Sequence, residues 1–350
     1  MRLFVAFIAA RFKGFTASMS TKIFFKLSTP TMIRFLVSCG HGYTHECLRK
    51  TPQAPPTSLM TYDQLLRSRW LRQATYVFAD IDRLSFWDLE LAAHAYLEME
   101  RLGLRVLNNP AKVKTRYALL RALHRAGLND FNIYRADEIN SSIRFPVFLR
   151  RIQLHDGPLT DLLNSARELE NALAAAVNGG TPIENLVVIE FAAEPVRPAL
   201  YRKLGAYRIG DRIVPTISAH DTVWLTKFGQ LGIAGETLYC DELTLVQTNP
   251  FAEHLTKAFE IAGIEYGRAD FGIYKGRIQI YEINTNPMIN EPTLHPSAAR
   301  RESTRFCWEK YLEALRALDT DGGRPVRLPN GTLQHRRVRT NLFVRTRPTG

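Results

Sequence analysis

No run in this 350-residue chain approaches the ~18 consecutive apolar residues that a membrane-spanning helix requires. The apolar stretch Leu3–Ala10 is short, and no clear small-residue cleavage site follows it. The four cysteines, Cys39, Cys47, Cys240 and Cys307, are too few and too scattered for a disulfide framework, which favours a reducing, cytoplasmic compartment. Several common signatures are missing. There is no GxxxxGK loop followed by Ser or Thr, and no GxGxxG after a strand. There is no HExxH zinc helix, no GxSxG nucleophile elbow and no internal repeat.

Acids are absent from residues 1–30, which are rich in Phe, Ser, Lys and Arg. A targeting peptide, a mis-called start and a floppy extension all fit that composition. The formal charge of +12 is concentrated at the ends: residues 1–50 net +7 and residues 321–350 net +6, so residues 51–320 net −1. A nucleic-acid-binding role would therefore act through the basic termini, including Arg336, Arg337 and Arg339. The neutral middle gives no reason to expect phosphate-backbone binding.

The pattern of elements predicts an α+β protein. Met32–Ser38, Tyr76–Asp80 and Leu104–Leu107 read as short buried strands, with a helix over Leu89–Leu102 stopped by Gly103. This is the rhythm of a small parallel β-α-β unit. Residues 51–58, with three prolines, read as a linker. Further on, Lys114–Ala126 and Thr160–Val177 read as helices, and Phe145–Leu149 and Leu186–Phe191 as strands. A strand pair surrounds Gly210-Asp211, Pro250–Gly263 is helical, and a hairpin turns at Lys275-Gly276 before a last helix at Arg305–Leu318. The expected division is a basic N-terminal extension and linker (1–58), a small α/β domain (59–109), a main domain (110–320) and a disordered basic tail (321–350).

The segment 263–287 carries the chemistry. Asp270, Glu282 and Asn284 offer the oxygen ligands that hard divalent cations demand. Glu282 and Asn284 are two apart on a strand and share a face, as do Arg268 and Asp270. The two pairs meet if the loop is odd. A three-residue loop, Tyr274-Lys275-Gly276, would set Asp270 opposite Ile280 and diagonal to Glu282; a two-residue loop would put the acids on opposite faces. A surface hairpin with solvated acids is the alternative, but these polar residues interrupt a strongly apolar strand.

Arg268-x-Asp270 followed by Glu282-x-Asn284 and a nearby proline resembles the metal-binding end of ATP-grasp enzymes, the superfamily of carboxylate–amine ligases. The resemblance covers roughly residues 75–318. It implies an ATP-grasp fold, two α/β subdomains clasping ATP, preceded by a small parallel domain. It also implies ATP and Mg²⁺ as cofactors, with Asp270, Glu282 and Asn284 as metal ligands. Arg268 would support the transferred phosphoryl group or the tetrahedral intermediate. Val106–Pro110 resembles the start of the ATP-grasp domain. Arg116 and Arg150 stand where the family has phosphate-contacting lysines; arginine keeps the charge and gains a fork. Ile189–Ala192 resembles the hinge strand that reads adenine, with Glu190 and the carbonyls near Ala192 as candidates. A structural acid paired with a nearby Arg is the other reading of Glu190. The implied activity is ATP-dependent ligation of a small-molecule or peptide carboxylate to an amine. A nucleotide-binding regulator and a kinase that stops at phosphoryl transfer are the alternatives.

Beyond Arg116 and Arg150, the sequence departs from the family in three further places. Only His155-Asp156-Gly157 stands where a glycine-rich flap belongs. Arg197 falls near the ribose-binding acid. Gly205 replaces a strand arginine, leaving Lys203 to supply the phosphate contact. Cys39, His41, His45 and Cys47 lie within nine residues, but without the two separated pairs usual for zinc. Trp224 reads as core packing.

Overall fold

The computed structural model of the chain describes residues 32–152, 157–227, 229–289, 291–292, 294–320 and 323–328. The extension at 1–30, His155 and Asp156 of the expected flap, and most of the basic tail lie outside these. Among the described residues no helix is long and apolar enough to cross a membrane.

The chain opens with β1 (Ile33–Val37), whose apolar sequence is buried almost throughout, as a parallel strand covered on both faces requires. It is followed by α1 (Glu46–Lys50), β2 (Thr57–Thr61), α2 (Tyr62–Arg67), β3 (Trp70–Leu71), β4 (Thr75–Phe78), α3 (Phe86–Arg101) and β5 (Arg105–Leu107). The sheet order is β2-β1-β4-β5, with every neighbour parallel. Ser85 caps α3 by accepting from the Asp88 amide, and Leu91, Ala92, Ala95, Tyr96 and Met99 bury one face of the helix. The boundary placed at residue 58 falls inside β2, and β1 lies between β2 and β4. The strand read at Met32–Ser38 is thus a member of this sheet and not part of a separable extension.

The middle of the chain forms α4 (Arg116–Arg125), β6 (Ile133–Arg135), β7 (Val147–Arg151), α5 (Ala166–Asn178) and β8 (Leu186–Glu190). The three strands make an antiparallel sheet in the order β6-β8-β7, with α5 packed against it through Leu169. Helix α5 starts six residues later than its apolar spacing suggests. Leu159 and Leu163 hydrogen-bond to β7 instead, and Ser165 provides the cap.

The last part comprises β9 (Pro195–Arg197), β10 (Leu200–Ile209), β11 (Arg212–Asp221), α6 (Glu236–Thr248), α7 (Ala252–Ala262), β12 (Tyr266–Tyr274), β13 (Arg277–Asn284), α8 (Ala298–Leu318) and β14 (Val326–Arg327). Strands β11-β10-β12-β13 form an antiparallel sheet, with β9 added beside β10. Strand β14 pairs with β3, and Leu328 is buried, so residues 326–328 of the expected tail pack against the β3 segment.

The expected α+β architecture, a small parallel sheet followed by two α/β lobes, is therefore present. Helices α4 and α7 fill the core shared by the two antiparallel sheets, with Leu119, Leu123, Phe259, Ile189, Phe271 and Ile280 in one cluster. Helix α8 joins the parallel sheet to β10 and β12 through Phe35, Val77, Ile209, Tyr266 and Leu315. Asn108 fixes this junction. Its backbone is left-handed (φ 63°), a conformation Asn tolerates. Its side chain donates to the Phe78 and Tyr266 carbonyls and accepts from the Glu265 and Tyr266 amides.

His45 is sealed in the same core, its ring 4.0 Å from that of Phe35. Burial pushes its pKa down from the ordinary 6.5 to about 3. The unfolded chain therefore takes up a proton on this side chain below its ordinary pKa while the folded chain does not. The stability contributed is complete above pH ~6.5 and falls as pH drops toward ~3, by on the order of 1 kcal/mol per pH unit. The melting temperature is expected to decline through that window, less steeply in His45→Gln. Equal slopes in the two proteins would contradict this.

Candidate active site

The carboxylate hairpin has a different geometry from the three-residue loop expected. Tyr274 pairs directly with Arg277, leaving the two-residue turn Lys275-Gly276, with φ of 51° and 72°. Such a turn alone would separate the acids. A β-bulge restores the parity: Phe271 pairs with Ile280 but Asp270 pairs with Glu282, so Tyr281 is the extra residue. Asp270 is thus directly opposite Glu282, not Ile280, and Arg268 is opposite Asn284. The bulged Tyr281 donates its hydroxyl to the Ala192 carbonyl at 3.1 Å. It also lies over Gly272, where any Cβ would collide with the phenol.

Cations converge on these acids. Lys203, on β10, reaches Asp270 at 3.0 Å, and Arg268 Nε donates to the same carboxylate at 2.9 Å. The Asp270 charge raises the Arg268 pKa further above its ordinary value. Arg116, at the start of α4, donates to Glu282 at 2.7 Å and to the Ile152 carbonyl at 2.8 Å. Asn284 accepts from the Asn286 amide at 2.7 Å.

A single cavity of about 380 Å³ is lined by all nine residues expected to handle ATP and Mg²⁺: Arg116, Arg150, Glu190, Ala192, Lys203, Arg268, Asp270, Glu282 and Asn284. The β12–β13 hairpin forms one wall and the β7–β8 sheet the other. Apart from Arg150 and Glu190, the second wall is apolar and aromatic. Phe148 and Phe191 contact the Trp224 ring at centroid distances of 5.0 and 5.6 Å. Trp224, read from the sequence as core, therefore lies at the cavity lining.

Glu190 keeps its carboxylate for the protein. It accepts from Arg144, from the Asn132 amide and from the Tyr134 hydroxyl. Burial pushes this carboxyl up, but the bonds from Arg144 and Asn132 outweigh it and hold its pKa below the usual value. What Glu190 leaves for a ligand is backbone.

The third side of the cavity was not read from the sequence. His41, Tyr43 and Thr44 follow β1, and Asp80 and Arg83 follow β4. All stand just beyond the carboxyl ends of parallel strands, where open α/β sheets bind ligands. The acid closing Tyr76–Asp80 was the available signal. The cysteine–histidine stretch does not gather. His41 binds Asp80, His45 is buried beside Phe35, and Cys47 donates to the Ile289 carbonyl. All four cysteines are free thiols, and among the described residues no group of three or more His, Cys, Asp or Glu could hold a metal ion.

The arrangement fits a metal–nucleotide complex. Two carboxylates and an amide oxygen suit a hard cation, which keeps part of its water shell. Four cationic side chains, Arg116, Arg150, Lys203 and Arg268, outnumber the two hairpin acids at the polar end, as a polyphosphate requires. The aromatic rings of Phe148, Phe191 and Trp224 suit a base at the other end.

The chain is similar to solved ATP-grasp ligases. The D-alanine–D-alanine ligase of Bacillus anthracis matches with 13% identity and a TM-score of 0.46, over 82% of this chain and 99% of that one. The D-alanine–D-alanine ligase of Coxiella burnetii gives 10% identity and a TM-score of 0.48, over 89% and 98%. An ATP-grasp RimK domain protein of Sphaerobacter thermophilus gives 13% and 0.45, over 81% and 97%. No protein-family model and no curated protein sequence matches the chain.

Proposed function

We propose that the protein is an ATP- and Mg²⁺-dependent ligase that joins a carboxylate to an amine. The observation that carries this reading is the single cavity in which a paired-acid hairpin, four basic side chains and an aromatic wall meet. Arg116, Arg150 and Lys203 would contact phosphate oxygens, and the backbone that follows β8 around Ala192 would take the adenine. Asp270, Glu282 and Asn284 would hold Mg²⁺, which when bound neutralises phosphate charge. The substrate carboxylate would attack the γ-phosphorus, releasing ADP and leaving an acyl phosphate. Arg268 would then steady the negative charge that develops as the amine adds and phosphate departs.

Mg²⁺-ATP is expected to raise the melting temperature of the full chain. Arg150→Ala removes one charge-assisted contact, worth roughly 1.5–3 kcal/mol, so calorimetric affinity for Mg²⁺-ATP should fall about tenfold or more. Unchanged affinity would remove Arg150 from the phosphate end. A wild type with neither thermal gain nor ADP release in the presence of pooled carboxylates and amines would overturn the reading.

A further inference from the structure

At the end of the cavity nearest the parallel sheet lies a histidine–aspartate pair. His41 Nδ1 is 3.0 Å from Asp80 Oδ2. Asp80 is an acceptor on both oxygens: Oδ2 also takes the Ser38 amide at 3.0 Å, and Oδ1 takes Arg83 Nε at 3.1 Å. The Asp80 side chain is 2% exposed and that of His41 30% exposed. Asp80 has a left-handed backbone (φ 57°) at the end of β4, and the residues that follow β1 bring His41 to it. An ionised carboxylate accepts only, so Nδ1 must carry the proton. In the neutral ring Nε2 is then the lone-pair nitrogen, with no partner among the described residues, on a half-exposed ring lining the cavity.

The loop that carries His41 is tied to the metal end of the hairpin. Asn286, two residues beyond Asn284, donates to the His41 carbonyl at 3.2 Å and accepts from Thr44 Oγ1 at 2.8 Å. The base nitrogen and the carboxylate hairpin are therefore held in one frame. Asp80 and Arg83 face the ring from β4's end, and the Tyr43 ring crosses it edge-on at 6.3 Å.

We propose that His41, oriented by Asp80, is the catalytic general base for the nucleophile. The inference rests on the ligase reading. An amine attacking an acyl phosphate forms a C–N bond, and the C–O bond to phosphate breaks, the phosphate leaving with its electron pair. The surplus proton on nitrogen passes to His41 Nε2. Asp80 is a positioning residue that fixes the tautomer and steadies the imidazolium.

Two measurements on the full chain test this. The first is ¹⁵N correlation NMR of histidine-labelled protein, with His41 assigned by its loss in His41→Gln. The Nδ1–H tautomer is expected, and the Nε2–H tautomer overturns the proposal. The second compares nucleophiles, using Mg²⁺-ATP and a pool of common amino acids and dicarboxylates. Hydroxylamine is uncharged near neutral pH and attacks acyl phosphates without a base, so His41→Gln should retain hydroxamate formation. Amide formation should fall by roughly 10²-fold or more. Equal amide rates in wild type and variant overturn the base. A wild type that gives the Nδ1–H tautomer but neither hydroxamate nor amide overturns the ligase reading instead, and with it this role for the pair.

Discussion

Glu282→Gln is expected to lose ATP turnover by about 10²–10³-fold or more while keeping its fold. The amide is nearly isosteric and still offers an oxygen, so packing and one acceptor survive. What goes is the negative charge that a hard cation needs and that the cationic cleft balances. The structural cost should be small, on the order of 1 kcal/mol, because the Glu282 side chain is 26% exposed and Arg116 keeps the Ile152 carbonyl. ADP release and melting temperature, each with and without Mg²⁺-ATP, separate the possibilities. A variant that loses thermal stability but retains turnover would make Glu282 a structural acid. A wild type that binds Mg²⁺-ATP without turnover, beside a variant that has lost the affinity, would favour a nucleotide-binding regulator.

Trimming the chain to residues 59–320 is expected to prevent folding. The cut removes β1, of which Ile33, Phe35 and Leu36 are fully buried and Val37 is 2% exposed. At roughly 1.5–3 kcal/mol for each buried side chain, these four contribute on the order of 10 kcal/mol, comparable with the whole stability of a domain. Loss of β1 also leaves β4 with an open edge facing nothing. A chain of residues 32–328, which keeps β1 and the β3–β14 pair, should melt cooperatively by circular dichroism. A cooperative melt of the 59–320 chain within a few degrees of the longer one would refute the expectation.

The residues of the site were legible because their chemistry is local. Two carboxylates and an asparagine cannot interrupt an apolar hairpin without partners, whereas Arg116, Arg150 and Lys203 were named only through the resemblance to ATP-grasp enzymes. The way the hairpin aligns them was not legible. A bulge depends on what Tyr281 meets, namely the Ala192 carbonyl and the open face of Gly272, and both lie far away or across a strand. The start of α8 was missed for a similar reason. Ser297 caps it, and Arg300 reaches back to Glu242 and the Ser218 carbonyl, so the first turn is anchored by tertiary contacts and not by an apolar stripe. His41 and Asp80 come from different strands, and only the parallel order β1-β4 places their ends together.

The two-residue turn and the single bulge in the β12–β13 hairpin are each an odd step in the alternation of sides, and together they cancel. Chain length between Asp270 and Glu282 is therefore constrained as a sum. Inserting or deleting one residue there would swing Glu282 and Asn284 to the opposite side of the sheet, however conservative the change. Two compensating changes, one at the turn and one at Tyr281, would leave the acids facing each other. Variation in this hairpin should accordingly come in pairs.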